Sequence, residues 1–246
     1  KEVEKILQYV QKPGRYSGGE LNSVIKDPEK VDIRYAFCFP DTYEIGMSHL
    51  GMKILYGLVN ERDDAWCERV FAPALDMEEL MRKNNIPLFA LESGDYIKNF
   101  DLIGFTLQYE LSYTNILNML DLAGVPLFSK DRTELAPLVC VGGPCACNPE
   151  PIADFCDLVF LGDGEESTNQ VLDLLKECKH AGKSKQYFLS KAKDIRGVYV
   201  PSFYVDSYNN DGTLKELKPI NGAPEKVKKA VVSDMNSVYY PKSFVV

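Results

Sequence analysis

Five short apolar runs separated by helix-like segments constrain this 246-residue chain more than any other feature. They are "IRYAFCF", "CERVFA", "LIGFTLQ", "LVCVGG" and "LVFLGDG". Near-continuous apolar runs of this length mark strands buried on both faces. Between them lie a periodic segment from Thr42 to Val59 and "DMEELMRKNN", with Asp76 as its expected N-cap. "YTNILNMLDLAG" comes next and should stop at Gly124, and "ESTNQVLDLLKECKH" follows the fifth run. Strands alternating with helices predict an α/β fold. The expected form is a doubly wound, flavodoxin/Rossmann-like five-stranded parallel sheet over residues 31–180.

The flanks have a different character. "EVEKILQYV" reads as a short amphipathic helix, and two prolines and three glycines then make residues 1–30 an irregular arm. Residues 181–246 read as a helix, a β-hairpin and a linker, a small β-rich extension. The hairpin turns at Asn209–Gly212, and "KVKKAVVSD" is a further strand candidate. The chain opens on Lys1 and stops on "SFVV", so a further domain is expected to follow.

No apolar run approaches the roughly 20 residues of a membrane helix, and no secretory leader is visible. Seven cysteines without an export signal suit reduced thiols, so a cytoplasmic location is expected. The net charge of −8 disfavours direct binding of duplex nucleic acid. One local exception is Lys176–Arg196, where Lys176, Lys179, Lys183, Lys185, Lys191, Lys193 and Arg196 face only Glu177 and Asp194. This is either a solvated helix face or a docking patch.

In an open parallel sheet, ligands bind beyond the carboxyl ends of the strands. Four loops should meet there: "FPDTYEIGMSHLG", "TLQYELSYTN", "GGPCACNPEP" and "GDGEES". They carry Asp41, Glu44, Glu110, Asp163, Glu165 and Glu166. Like charges about 8 Å apart repel by roughly 2 kcal/mol at an effective dielectric of 20. Several such terms exceed the 0.3–1 kcal/mol or so that a helix N-terminus offers an anion, so a phosphate-first ligand is disfavoured.

The spacing C-x4-C-x-C-x8-C from Cys140 to Cys156 matches neither paired zinc ligation nor an iron–sulfur run. Cys38, Cys140 and Cys156 fit the core, and Cys145 and Cys147 a turn. His180 reads as a surface residue. His49, inside the first helix, is either structural or pocket-lining. No Ser-His-Asp order or nucleophile elbow is present.

Three stretches, "PDTYEIGMSHLGMKILY", "DLIGFTLQYELSYTNILNML" and "VCVGGPCACNPEPIADFCDLVFLGDGEE", together resemble the N-terminal cobalamin-binding-like domain of a radical SAM protein family. The resemblance covers about residues 12–240. It implies a Rossmann-like domain stacked on a radical SAM barrel later in the same chain. SAM and a [4Fe–4S] cluster would belong to that barrel, whose C-x3-C-x2-C motif is absent here. The full-length protein would be the enzyme, and this piece alone would be inactive. In this reading Asp41, Tyr43, Glu44, Gly46, Thr106, Gln108, Gly142, Gly143, Pro144, Gly162 and Gly164 line the ligand edge. The glycines would admit a flat corrin, and the polar groups would meet its peripheral amides. The D-x-H-x-x-G motif of histidine-ligated cobalamin is not met at His49. Either cobalamin binds without a histidine, or the fold persists without the cofactor. The alternative is a cofactor-free docking domain that presents an RNA or protein substrate through the basic patch.

Overall fold

The computed structural model describes residues 2–246. Among these, β1 (Ile33–Phe39), β2 (Ala65–Phe71), β3 (Leu102–Thr106), β4 (Leu138–Gly142) and β5 (Leu158–Phe160) are parallel, in the order β2-β1-β3-β4-β5. The sheet has six strands rather than the five expected. The chain reverses at Gly197, and β6 (Val198–Tyr199) runs back antiparallel along β5. The hairpin forms where its turn residues predict, as β7 (Tyr204–Tyr208) and β8 (Leu214–Pro219).

The helices are α1 (Glu2–Leu7), α2 (Tyr43–Met47), α3 (Leu50–Asn60), α4 (Leu75–Asn84), α5 (Tyr113–Ala123), α6 (Glu165–His180) and α7 (Lys185–Ala192). One face of the sheet packs against α3, α6 and α7, the other against α1, α4 and α5. β1 shows why its run does not alternate. Tyr35, Phe37 and Phe39 point to the α3/α6 side and Ala36 and Cys38 to the α4/α5 side, all buried. Burying a large apolar side chain contributes about 1.5–3 kcal/mol, so two covered faces select apolar residues at every position.

Two local expectations need correction. The segment from Thr42 to Val59 is not one helix but α2 and α3, broken at Ser48 and His49. His49 is the N-cap of α3, extended at ψ 114°, and its Nδ1 accepts the Met52 N–H at 3.1 Å. That bond satisfies a donor an uninterrupted helix would have used internally. The N-cap of α4 is Ala74, not Asp76. Asp76 instead accepts the Gln11 N–H at 2.8 Å and ties down the arm. Gly124 does end α5, in the left-handed conformation.

The arm covers the exposed edge of β2. Trp66 Nε1 donates to the Val24 carbonyl at 3.0 Å, and Lys26 reaches the carbonyls of Asn60, Arg62 and Ala65. Arg69 of β2 is held between Glu20 at 2.7 Å and Glu92 at 2.6 Å. At the other end of the sheet, buried Asp157 accepts from Ser129, Arg132 and the Val139 N–H, and pairs with Lys185 at 2.5 Å. "KVKKAVVSD" is not a strand. Ala230 alone bridges to Gly162, after which the tail crosses back to bury Val245 beside the arm.

Candidate functional site

Strand order reverses at β1: the chain moves outward to β2, then returns past β1 to β3. The loops after β1 and β3 therefore diverge and leave a crevice at the carboxyl edge. A cavity of about 350 Å³ opens there, between the sheet face and the N-terminal halves of α3 and α6. Tyr35, Phe37, Cys140 and Phe160 form its floor, Ile54 and Leu55 its wall, and His49, Thr106, Gln108, Asp163, Glu165 and Thr168 its polar lining. All four expected loops contribute. Two larger grooves, of about 510 and 700 Å³, lie under the C-terminal tail and beside the hairpin, away from the strand ends.

Seven of the eleven predicted residues line this cavity: Thr106, Gln108, Gly142, Gly143, Pro144, Gly162 and Gly164. Asp41, Tyr43, Glu44 and Gly46 do not, and each has a structural partner. Asp41 accepts the Tyr109 hydroxyl at 2.9 Å, a bond that raises the Tyr109 pKa. Tyr43 packs edge-on against Phe71, and burial followed by its hydrogen bond to Glu20 pushes its hydroxyl up to about 12. Glu44 is exposed and paired with Arg15 and Lys12, and the Arg15 hydrogen bond is the largest cause holding its carboxyl at about 2. Gly46 is buried against the Phe71 ring.

Two lining glycines answer to the chain itself. Gly143 has φ 100°, and a β-carbon there would lie 2.7 Å from the Leu107 carbonyl oxygen. Gly162 has φ 93°, and a β-carbon would overlap the backbone of Ala230. Positive φ and close backbone approach each require glycine at these turns.

The cysteines fall as the sequence suggests. Cys38, Cys140 and Cys156 are buried, with burial pushing each thiol up, while Cys145 is half-buried and Cys147 exposed. Burial, then Glu110 and Cys147, raises the Cys145 thiol, which lowers its thiolate fraction. Among the described residues no cluster of three or more His, Cys, Asp or Glu is placed to hold a metal. His180 is exposed and contacts Asp32 at 2.7 Å.

Much of the basic patch is engaged. Lys176 pairs with Asp64, Lys179 with Asp101 and Lys193 with Asp194; Arg196 donates to the Lys229 carbonyl, and Lys185 is buried against Asp157. Lys183 and Lys191 remain at the surface, over the ring of Tyr187 at 5.2 and 5.8 Å.

The sequence reading missed the aromatic floor. Its signal was present in β1, where every second residue from Tyr35 to Phe39 is aromatic and the residues between are small.

Over 221 residues the chain is 26% identical to an uncharacterized protein of Methanocaldococcus jannaschii, covering 85% of this chain and 42% of that one. The chain thus spans less than half the length of this curated relative. No solved structure matches this chain. No helix among the described residues is long and apolar enough to cross a membrane. The family model for the N-terminal region of radical SAM proteins matches residues 51–201, which include the wall of the cavity and three of its four loops. The chain belongs to the family of radical SAM protein N-terminal domains.

Proposed function

We propose that this domain holds a corrinoid at the carboxyl edge of its sheet and presents it to a SAM- and [4Fe–4S]-binding domain that follows in the full-length protein. The observation that carries this reading is the cavity itself: aromatic at its floor, polar at its rim and fed by all four loops. The order β2-β1-β3-β4-β5 supports it, because doubly wound flavodoxin-type sheets share that order and bind ligands at this edge. A volume of about 350 Å³ is at the low end for a small-molecule pocket. It suits the base of a corrinoid's nucleotide tail, with the macrocycle outside on the loops. Asp163 and Glu165 oppose a ligand that leads with phosphate.

His49 does not suit a cobalt ligand. Its Nδ1 accepts the Met52 N–H, so the neutral ring carries its proton on Nε2 and has no free lone pair there. A corrinoid here would be held by Thr106, Gln108, the loop glycines and the aromatic floor. When bound, it would supply a cobalt centre able to carry an alkyl group. The seven free cysteines fit a reducing, cytoplasmic setting.

Titrating hydroxocobalamin into the purified chain tests this reading. A saturable absorbance shift, with the colour co-eluting on gel filtration, is expected. Absence of both would remove the corrinoid from the account. The rival reading is a domain that docks an RNA or protein substrate, and the exposed Lys183–Tyr187–Lys191 cluster favours it. It predicts instead that Lys183→Glu with Lys191→Glu weakens substrate binding at low salt.

A further inference from the structure

The cavity is more polar than its aromatic floor suggests. Tyr35 and Thr168 both line it, and each is only 5% exposed. Neither hydroxyl has an oxygen or nitrogen hydrogen-bond partner among the described residues. The only polar neighbour of the Tyr35 hydroxyl is the Cys140 thiol, a weak partner. Both hydroxyls face the cavity with hydrogen-bonding capacity that a ligand can meet, whereas the sealed side-chain polar atom left without a partner among the described residues is Glu20 Oε1, in the arm.

The sheet makes room for the first of them. Gly104 sits in the middle of β3, where glycine weakens a strand. A β-carbon there would overlap the Tyr35 hydroxyl oxygen. The missing side chain lets the tyrosine lie across β3 with its hydroxyl above β4. Thr106 adds a third group: its Oγ1 accepts from Gln108 Nε2, which leaves its own proton free to donate.

We infer that the ring entering this cavity carries hydrogen-bonding atoms on its inner edge, as a purine-type or hydroxylated base does and an alkyl-substituted one does not. The inference rests on the reading above, in which the base of a corrinoid enters here. Phe37 and Phe160 of the floor would offer a flat ring apolar surface, while the Tyr35 and Thr168 hydroxyls would be met by polar atoms on its edge. An alkyl edge would seal both hydroxyls away from water with nothing to bond. A site built to hydrogen-bond a group rejects the analogue lacking it.

Three corrinoids separate the possibilities: an adenine-bearing analogue, hydroxocobalamin with its dimethylbenzimidazole, and cobinamide, which has no base. The adenine form should bind about tenfold tighter than hydroxocobalamin, and cobinamide weakest. Tyr35→Phe should erase that preference with little change in the thermal midpoint, since the hydroxyl's only partner in the protein is the weak Cys140 thiol. Equal affinity for the two base-bearing forms overturns the inference, as does a preference that survives in both Tyr35→Phe and Thr168→Val. If no corrinoid binds, the proposed function fails on its own. Free adenosine against free 5,6-dimethylbenzimidazole then decides the inference. Adenosine binding weakened by Tyr35→Phe sustains it, and binding of neither, or of both equally, overturns it.

Discussion

Ala230 packs so closely on Gly162 that any side chain at the glycine would overlap its backbone. The Asp163 N–H donates to the Ala230 carbonyl at 3.1 Å, and the Val232 N–H donates to the Asp163 carboxylate at 2.8 Å. The C-terminal tail is thus fastened to a loop of the candidate site. Gly162→Ala should destabilise the protein by about 2–3 kcal/mol, from positive-φ strain and the displaced tail. Gly142→Ala should be tolerated, because its β-carbon meets Phe160 at an ordinary 3.5 Å. Urea unfolding of the two variants tests the contrast; equal midpoints would contradict it.

His49 caps α3. His49→Ala should cost about 1 kcal/mol, and His49→Asn much less, because asparagine can accept the same Met52 N–H. The difference between the two denaturation midpoints is the readout. Equal losses would show that the ring acts through its packing on Phe39, 5.3 Å away, and not through the cap.

Asp157 neutralises two buried cations. Asp157→Asn would leave Arg132 and Lys185 buried without a counter-charge, and a loss of about 3–5 kcal/mol is expected. Chemical denaturation checks this, with a loss below about 1 kcal/mol counting against the assignment.

Asp64 sets an acid dependence. Its hydrogen bond to Arg62, with Lys176 assisting, holds its carboxyl at about 2. A carboxyl whose folded pKa is depressed stabilises fully above its unfolded value of about 3.9, and that contribution fades as pH falls toward 2. With Asp64 24% exposed, solvent screening limits the effect to about 1 kcal/mol. Asp64→Asn should be less stable than wild type at pH 6 and indistinguishable from it near pH 2. A constant difference across that range would contradict the linkage.

The framework was legible because its signals are local. The five parallel strands, the stop at Gly124 and the turn near Asn210 all follow from short patterns. What escaped depends on distant contacts. β6 exists only because a two-residue segment finds the edge of β5, and a strand that short has no pattern of its own. The break at His49 needed a side chain to compete with the helix for one N–H. The glycines of the loops at the carboxyl edge are readable as special, but not for what: at Gly143 and Gly162 the close neighbour is backbone of the same chain. Asp41, Tyr43 and Glu44 look like pocket residues in the sequence, yet Tyr109, Glu20 and Arg15 hold them elsewhere.

The most direct test of the central claim is to map amide chemical-shift changes in isotopically labelled protein during addition of hydroxocobalamin. The account predicts saturable shifts at Gln108, Gly142, Gly164 and Glu165 around the cavity mouth, with Lys183 and Lys191 on α7 unaffected. Shifts confined to α7, or none at ligand excess, would contradict it.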